Sequence, residues 1–567
     1  MKPAGSICPR RHSVALTYPG NLQAIYTYDK MDRPISLQSK EGAAAAVYVV
    51  KNSPAPTYKA YGPLATLVFN TTTNRTETRA YDFRNQPTSI TLSSSLFTLN
   101  YTPDKVGNIT PQQRTLPAPT ETRGYGYQDW QYYLTCGSGP WGGTACAPSP
   151  TGNPLQWTYD RIGNRATEVR AGLTDSYVYD DNSGATGDTA VLDVVNLGVL
   201  GTRDYTFDNG GFLTQIAAGA NVLDFTFDDA GELGSVVRGA QSLTNSYDGR
   251  GFLQSAADAT SGGYVNATYS SSGLLHSLER LPATGGNLER HNVLYFAGRP
   301  IAIWKKVGVA AATTTYLVTD HLGTPAYALN QAGTEYWKGG LEPFGRDWQE
   351  GTANDTLTKG IFLRFPGQWD DGLFANATLG GDVYYNVHRW YESQTGRYTR
   401  VDPLHSVPVA LEREVGGNDP ERFSPLFIYA ASNPMSYIDP LGLLQFKGCT
   451  TDQERAIRPA FDEYCGKAST DGFRNCMCDK PSIPEGLGRL CGNPALTVRC
   501  KQDSGGSCSG NCAWSVPFGT TIRLCPGAWD DGRCGPLGCT LLHEMTHQLG
   551  HGGEKHPQQV EKCLGCS

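Results

Sequence analysis

The sequence predicts a mainly β protein, a long sheet of stacked hairpins forming a shell, followed by a small cysteine-rich α+β module. Three observations predict this. A motif of aromatic, small polar, aromatic and Asp recurs along the first half; only Cys8, Cys136 and Cys146 of the sixteen cysteines precede Cys449; and four of the ten histidines lie between His543 and His556. At 567 residues the chain is too long for one small fold, and it divides by domain-size statistics into roughly three or four units. Charged residues are 18%, against about 25% in ordinary globular proteins, while Gly numbers 66 and Tyr 30. That balance suits turn-rich aromatic β-structure. The net charge is −7 and no run of Lys and Arg could neutralise phosphates, so nucleic acid is not an expected partner. No apolar run approaches the ~18 residues of a membrane span, and the opening Met1-Lys2-Pro3-Ala4-Gly5-Ser6 lacks an apolar signal stretch.

The repeats come first along the chain. Tyr26-Thr27-Tyr28-Asp29, Trp157-Thr158-Tyr159-Asp160, Tyr205-Thr206-Phe207-Asp208, Phe225-Thr226-Phe227-Asp228 and Ser246-Tyr247-Asp248 share the pattern, and Phe207, Phe227 and Tyr247 are twenty residues apart. Alternate aromatics place two rings on one face of a strand, the Asp and Gly that follow turn the chain, and a return strand completes a hairpin. One hairpin cannot bury its rings alone. Stacked hairpins can, so the array is expected to form a continuous twisted sheet whose edges the next repeat covers.

These motifs resemble the YD repeats of Rhs and related polymorphic-toxin proteins, in which the sheet winds into a hollow shell. The resemblance continues through Tyr316-Leu317-Val318-Thr319-Asp320-His321-Leu322-Gly323, Glu342-Pro343-Phe344-Gly345, Phe365-Pro366-Gly367-Gln368, Tyr384-Tyr385-Asn386, Arg389-Trp390-Tyr391 and Gly396-Arg397-Tyr398, which look like the Rhs-associated core. His321 and Arg389 are read as holding turns and hydrogen bonds within the shell, without catalytic assignment. Residues 1–300 are therefore expected to be YD-repeat shell, 301–444 the associated core and 445–567 a separate module. The chain is expected to be part of, or a short relative within, a longer delivery protein.

The core closes on Val401-Asp402-Pro403 and Ser436-Tyr437-Ile438-Asp439-Pro440-Leu441-Gly442-Leu443, which look like the family's self-cleaving end. The resemblance implies that Asp402 and Asp439 act as an aspartyl pair and cut near Leu443 or Leu444. Two carboxylates forced together cannot both ionise easily, so one can hold a proton as acid while the other activates water. The plain alternative is that both cap Asp-Pro turns. The unusually long stretch between them includes Leu411-Glu412-Arg413-Glu414-Val415-Gly416-Gly417.

The cysteine density after Cys449 indicates a disulfide-stapled module, whereas the first 448 residues are expected to manage without cross-links. Within it, Leu541-Leu542-His543-Glu544-Met545-Thr546-His547-Gln548-Leu549-Gly550 places His543 and His547 one helical turn apart, so both imidazoles can reach one Zn2+ ion. Leu542, Met545 and Leu549 fall on the opposite face, Gly550 offers a stop, and Glu544 can take a proton from activated water. A catalytic zinc usually takes three protein ligands. Glu561 is the expected third, on a second helix opened by Pro557 and running back along the first, with Glu554, His556 and His551 as alternatives. Cys563 and Cys566 are expected to pin that helix by disulfides.

The function these features imply is that of a bacterial toxin whose zincin-like C-terminal metallopeptidase hydrolyses peptide bonds and is released by self-cleavage. Its implied partners are a protein or peptide substrate, a cognate immunity protein and a secretion-system component. Its implied setting is manufacture in the cytoplasm and action in a target cell's periplasm or outside cells, where disulfides persist. Between Gln445 and Ser567 there are 13 Lys plus Arg and 13 Asp plus Glu, a neutrality that opposes a nuclease. The rival reading is an extracellular adhesion or scaffold protein with a non-catalytic disulfide-rich binding tail.

Overall fold

The computed structural model describes residues 13–403 apart from short stretches, of which 181–188, 350–355 and 373–382 are the longest, then 427–439, 445–447 and the elements given below between 467 and 564. From Ser13–Tyr18 to Asp347–Gln349, thirty strands form one hydrogen-bonded sheet. Consecutive strands pair antiparallel, so the sheet is built almost entirely of local hairpins.

The physical unit is clearest in the strands Thr202–Phe207, Leu213–Ala218, Asn221–Phe227, Leu233–Arg238, Gln241–Tyr247 and Leu253–Asp258. Tyr205 and Phe225 are buried, and a register shift follows one residue later in each repeat, between Thr206 and Phe207, Thr226 and Phe227, and Ser246 and Tyr247. The Asp then cages the turn. Asp228 Oδ1 accepts from the Ala230 amide at 3.0 Å and the Glu232 amide at 2.8 Å, and Asp208 and Asp248 repeat the pattern. The third residue after each Asp is Gly211, Gly231 or Gly251, all at φ 77°, a left-handed position that a side chain would strain. Tyrosine ties each repeat to its predecessor. The hydroxyls of Tyr247, Tyr269 and Tyr295 donate to the carbonyls of Leu233, Leu253 and Leu275 at 2.9, 3.0 and 3.1 Å, each at the start of the preceding strand. A partly buried ring with a satisfied hydroxyl therefore fixes both spacing and register.

Early strands also lie against late ones. Tyr18 donates to the Val293 carbonyl at 3.0 Å, Tyr316 to that of Asn70 at 2.9 Å, and the rings of Phe97 and Tyr327 stack at 4.9 Å. One apolar core accordingly joins residues 18–157 to 294–344, and a second runs from Tyr177 to Trp390. The division drawn at residue 300 is one of sequence motif. The sheet crosses it, since Glu289–Phe296 pairs with Arg299–Val307.

A smaller sheet of Val383–Asn386, Arg389–Glu392 and Arg397–Tyr398 is wholly buried, and Phe365, Tyr384, Tyr391, Tyr398 and Tyr429 pack there. His321 holds a turn as expected. Its Nε2 lies 2.9 Å from the Met435 carbonyl and its ring packs on Tyr101. One expectation is corrected: Cys136 and Cys146 form a disulfide, so the first 448 residues do contain a cross-link. Those two residues face each other near a hairpin of the sheet, a proximity that linear spacing did not reveal.

The C-terminal module has a four-stranded sheet in the order Gln445–Lys447, Thr497–Cys500, Thr521–Leu524 and Ala513–Ser515, with only the last strand antiparallel to its neighbour. Helices α1 (Ser482–Cys491), α2 (Leu537–Gln548) and α3 (Lys555–Leu564) accompany it. Leu541, Leu542 and Met545 of α2 are buried with Ile483, Leu487, Val498, Ile522 and Val560. At Gly486 the chains come so close that a Cβ would meet the Leu549 side chain at 2.7 Å, so glycine there lets α1 approach the end of α2. Gly550 lies outside the described residues; α2 ends at Gln548.

Candidate metal centre and carboxylate pair

On α2 the four-residue spacing brings the histidines together as its periodicity requires. His543 Nε2 lies 3.2 Å from His547 Nε2, with ring centroids 5.0 Å apart. Two nitrogens bound to one tetrahedral zinc at about 2.1 Å stand about 3.4 Å apart. The observed separation fits one edge of that tetrahedron. Ligand-type atoms of His543, Glu544 and His547 all lie within 4.8 Å of one another. The apolar back of the helix explains the arrangement: with Leu541, Leu542 and Met545 in the core, the histidines face outward and are only partly buried.

Glu544 is 6% exposed. Its backbone carbonyl and its Oε2 both accept from Ser515 Oγ, at 2.8 and 2.9 Å. Ser515 is a site residue that the sequence did not reveal. It ends a three-residue edge strand 29 positions before Glu544, and only the packing of strand on helix joins the two.

The second helix packs beside α2 as expected, starting at Lys555 with Pro557 in its first turn. Glu561 Oε1 lies 3.0 Å from His543 Nδ1, the ring nitrogen other than the one facing His547. The expected third ligand thus meets the ring on its other nitrogen, because α3 flanks His543 rather than capping the histidine pair. A disulfide joins Cys476 to Cys563, two residues beyond Glu561, and so ties α3 to the module. Cys512, Cys525 and Cys539 are also disulfide-bonded. His556 lies in the first turn of α3, whereas His551, Glu554 and Cys566 are outside the described residues.

The carboxylate pair is assembled by the small buried sheet. Arg389 reaches both acids with one nitrogen, at 3.3 Å from Asp402 Oδ2 and 3.0 Å from Asp439 Oδ2. Tyr398 donates to Asp439 Oδ2 at 2.8 Å, and Asn386 donates to the Asp439 carbonyl at 3.0 Å. The Arg389 guanidinium also covers the Tyr398 ring at 3.5 Å. Burial disfavours its charge, yet Asp402, Tyr398 and Asp439 together push the Arg389 pKa up. Burial, then Asp439, pushes the Tyr398 hydroxyl well up. Burial, reinforced by Arg400 and Arg389, pushes neighbouring His388 down to about 3. Arg389, expected only to hold hydrogen bonds within the shell, bridges both aspartates. The stretch 404–426, with Leu411 to Gly417, and residues 440–444, with the expected cut at Leu443 or Leu444, lie outside the described residues.

No family model matches the chain. Over 147 residues, 26% of this chain and 9% of the relative, it is 29% identical to "Toxin protein Tse5" of Pseudomonas aeruginosa. Its fold is similar to the crystal structure of TcdB2-TccC3, with a TM-score of 0.57 and 18% identity over 76% of this chain and 21% of that one. The Photorhabdus luminescens Tc holotoxin pore is similar at a TM-score of 0.56 and 17% identity, over 76% and 20% of the two chains. The chain thus spans about a tenth of the matched toxin and about a fifth of the matched structures.

Proposed function

We infer that this chain is part of an Rhs-type toxin whose cysteine-rich module is a zinc-dependent peptidase, released by cleavage at the aspartate pair. The similarity to a toxin and the shared shell fold support the setting. The observation that carries the chemistry is the facing pair of histidine Nε2 atoms, 3.2 Å apart, with a buried carboxylate on the next residue.

His543 and His547 would hold the ion. Bound there, zinc supplies a Lewis acid that polarises a peptide carbonyl and makes water more acidic. Glu544 takes the proton of the attacking water and passes it to the leaving amine. Glu561 accepts from Nδ1 of His543, which leaves the Nε2 lone pair of that ring for the ion and keeps the ring from turning. In the shell, Asp402 and Asp439 act on the chain a few residues beyond Asp439, while Arg389 offsets their mutual repulsion. A cognate immunity protein and a delivery component follow from the toxin reading, as does action where disulfides persist.

The test uses the full chain with denatured casein as probe. Wild type is expected to hold one equivalent of zinc and cleave casein. Glu544→Gln should keep the zinc and lose at least about 100-fold in cleavage. His547→Ala should lose both. A correctly oxidised wild type that binds no zinc and cleaves nothing overturns the proposal.

A further inference from the structure

The general base of the proposed peptidase is held by a group outside its own helix. A glutamate has three side-chain torsions, and freezing them costs conformational entropy that a fixed partner offsets. Here Ser515 supplies the hold. Its strand, Ala513–Ser515, pairs with Thr521–Leu524, and Ala513 and Ile522 are buried in the module core, so the hydroxyl is placed by a sheet rather than a loose loop. A serine hydroxyl has one proton to donate. With acceptors at 2.8 Å on the Glu544 carbonyl and 2.9 Å on its Oε2, that proton is offered to the base from one fixed side. One carboxylate oxygen is thereby tied back to the sheet.

We propose that Ser515 is a positioning residue of the peptidase site, anchoring the Glu544 carboxylate in the orientation from which it takes the water proton. This rests on the peptidase reading and adds to it a residue that touches neither metal nor substrate. It predicts an effect on turnover rather than on zinc content or substrate affinity, since neither histidine depends on this hydrogen bond.

The experiment measures zinc content, kcat and KM for full-length wild type, Ser515→Ala and Ser515→Thr on a fluorescence-quenched peptide that wild type cleaves. Ser515→Ala should keep one equivalent of zinc and an unchanged KM while kcat falls about 10–100-fold, the usual range for loss of an outer-shell partner. Threonine retains the hydroxyl and should return kcat to within a few-fold of wild type. In a Glu544→Gln background, Ser515→Ala should cause no further loss, because the two act as one unit. If alanine prevents folding, Ser515→Cys takes its place, since a thiol fills the space but donates weakly. An alanine or cysteine variant with wild-type kcat, or an equal loss in the Glu544→Gln background, overturns the proposal. Inactive, zinc-free wild type rejects the peptidase reading itself.

Discussion

At the scale of single residues, the two candidate sites share a device: a functional side chain set by a charged neighbour from another element. Glu561 does this for His543 at 3.0 Å, and Arg389 does it for Asp402 and Asp439. If Glu561 orients the ring, Glu561→Gln retains an acceptor and should leave zinc affinity within a few-fold, while Glu561→Ala should weaken it about 10–100-fold in a chelator competition. A metal ligand would instead lose as much with Gln as with Ala. His388 offers a pH test at the shell. Its folded pKa of about 3 lies below the ordinary histidine value near 6.5, so the unfolded chain binds the proton first as pH falls. The stability held by neutral His388 is present above pH 6.5 and lost as pH falls from there toward 3. Around it, Arg400 and Arg389 oppose protonation while Asp248 and Asp439 favour it. Thermal midpoints measured between pH 7.5 and 5 should decline, and His388→Gln should flatten that decline.

At the scale of elements, the repeat hairpin and the α2–α3 pair carry the design. In the hairpin, one carboxylate closes the turn and one phenol reaches the strand before it. Asp228→Ala removes the acceptor of two solvent-exposed amide hydrogen bonds and should cost about 0.5–1.5 kcal/mol locally. Hydrogen exchange at Ala230 and Glu232 should accelerate accordingly, with distant repeats unchanged, because a repeat answers mainly to its neighbours. In the module, α3 carries Glu561 two residues before a cysteine bonded to Cys476, 87 positions earlier in the chain. Opening that bond frees the end of α3 and with it the partner of His543. Cys563→Ser, or reductant added to wild type, should therefore weaken zinc retention in the same chelator competition. Unchanged retention in both would separate the disulfide from the site.

At the scale of the whole molecule, a sheet of thirty strands made of local hairpins acquires its long-range order by laying early strands on late ones. The buried three-stranded sheet and the segment reaching Asp439 pack within that structure, and the aspartate pair exists only because they meet at Arg389. Asp439→Asn keeps the size of the side chain and an acceptor for Tyr398. It should leave a single full-length band on a denaturing gel, where wild type is expected to yield a shell fragment and a module of about the mass of residues 445–567. Continued cutting by the variant would remove the pair from the mechanism.

The hairpin array, the helix bearing His543, Glu544 and His547, and the neutrality of the module were legible in the linear chain. Their signals are periodic and local: two residues per strand alternation, twenty per repeat, four per helical turn. The pairing of Cys136 with Cys146 was not legible, nor were Ser515 beside Glu544, the side of His543 that Glu561 meets, and Arg389 between two aspartates. Each of these depends on how separate elements lean on one another, and side-chain directions at such junctions follow from packing that no spacing along the chain encodes.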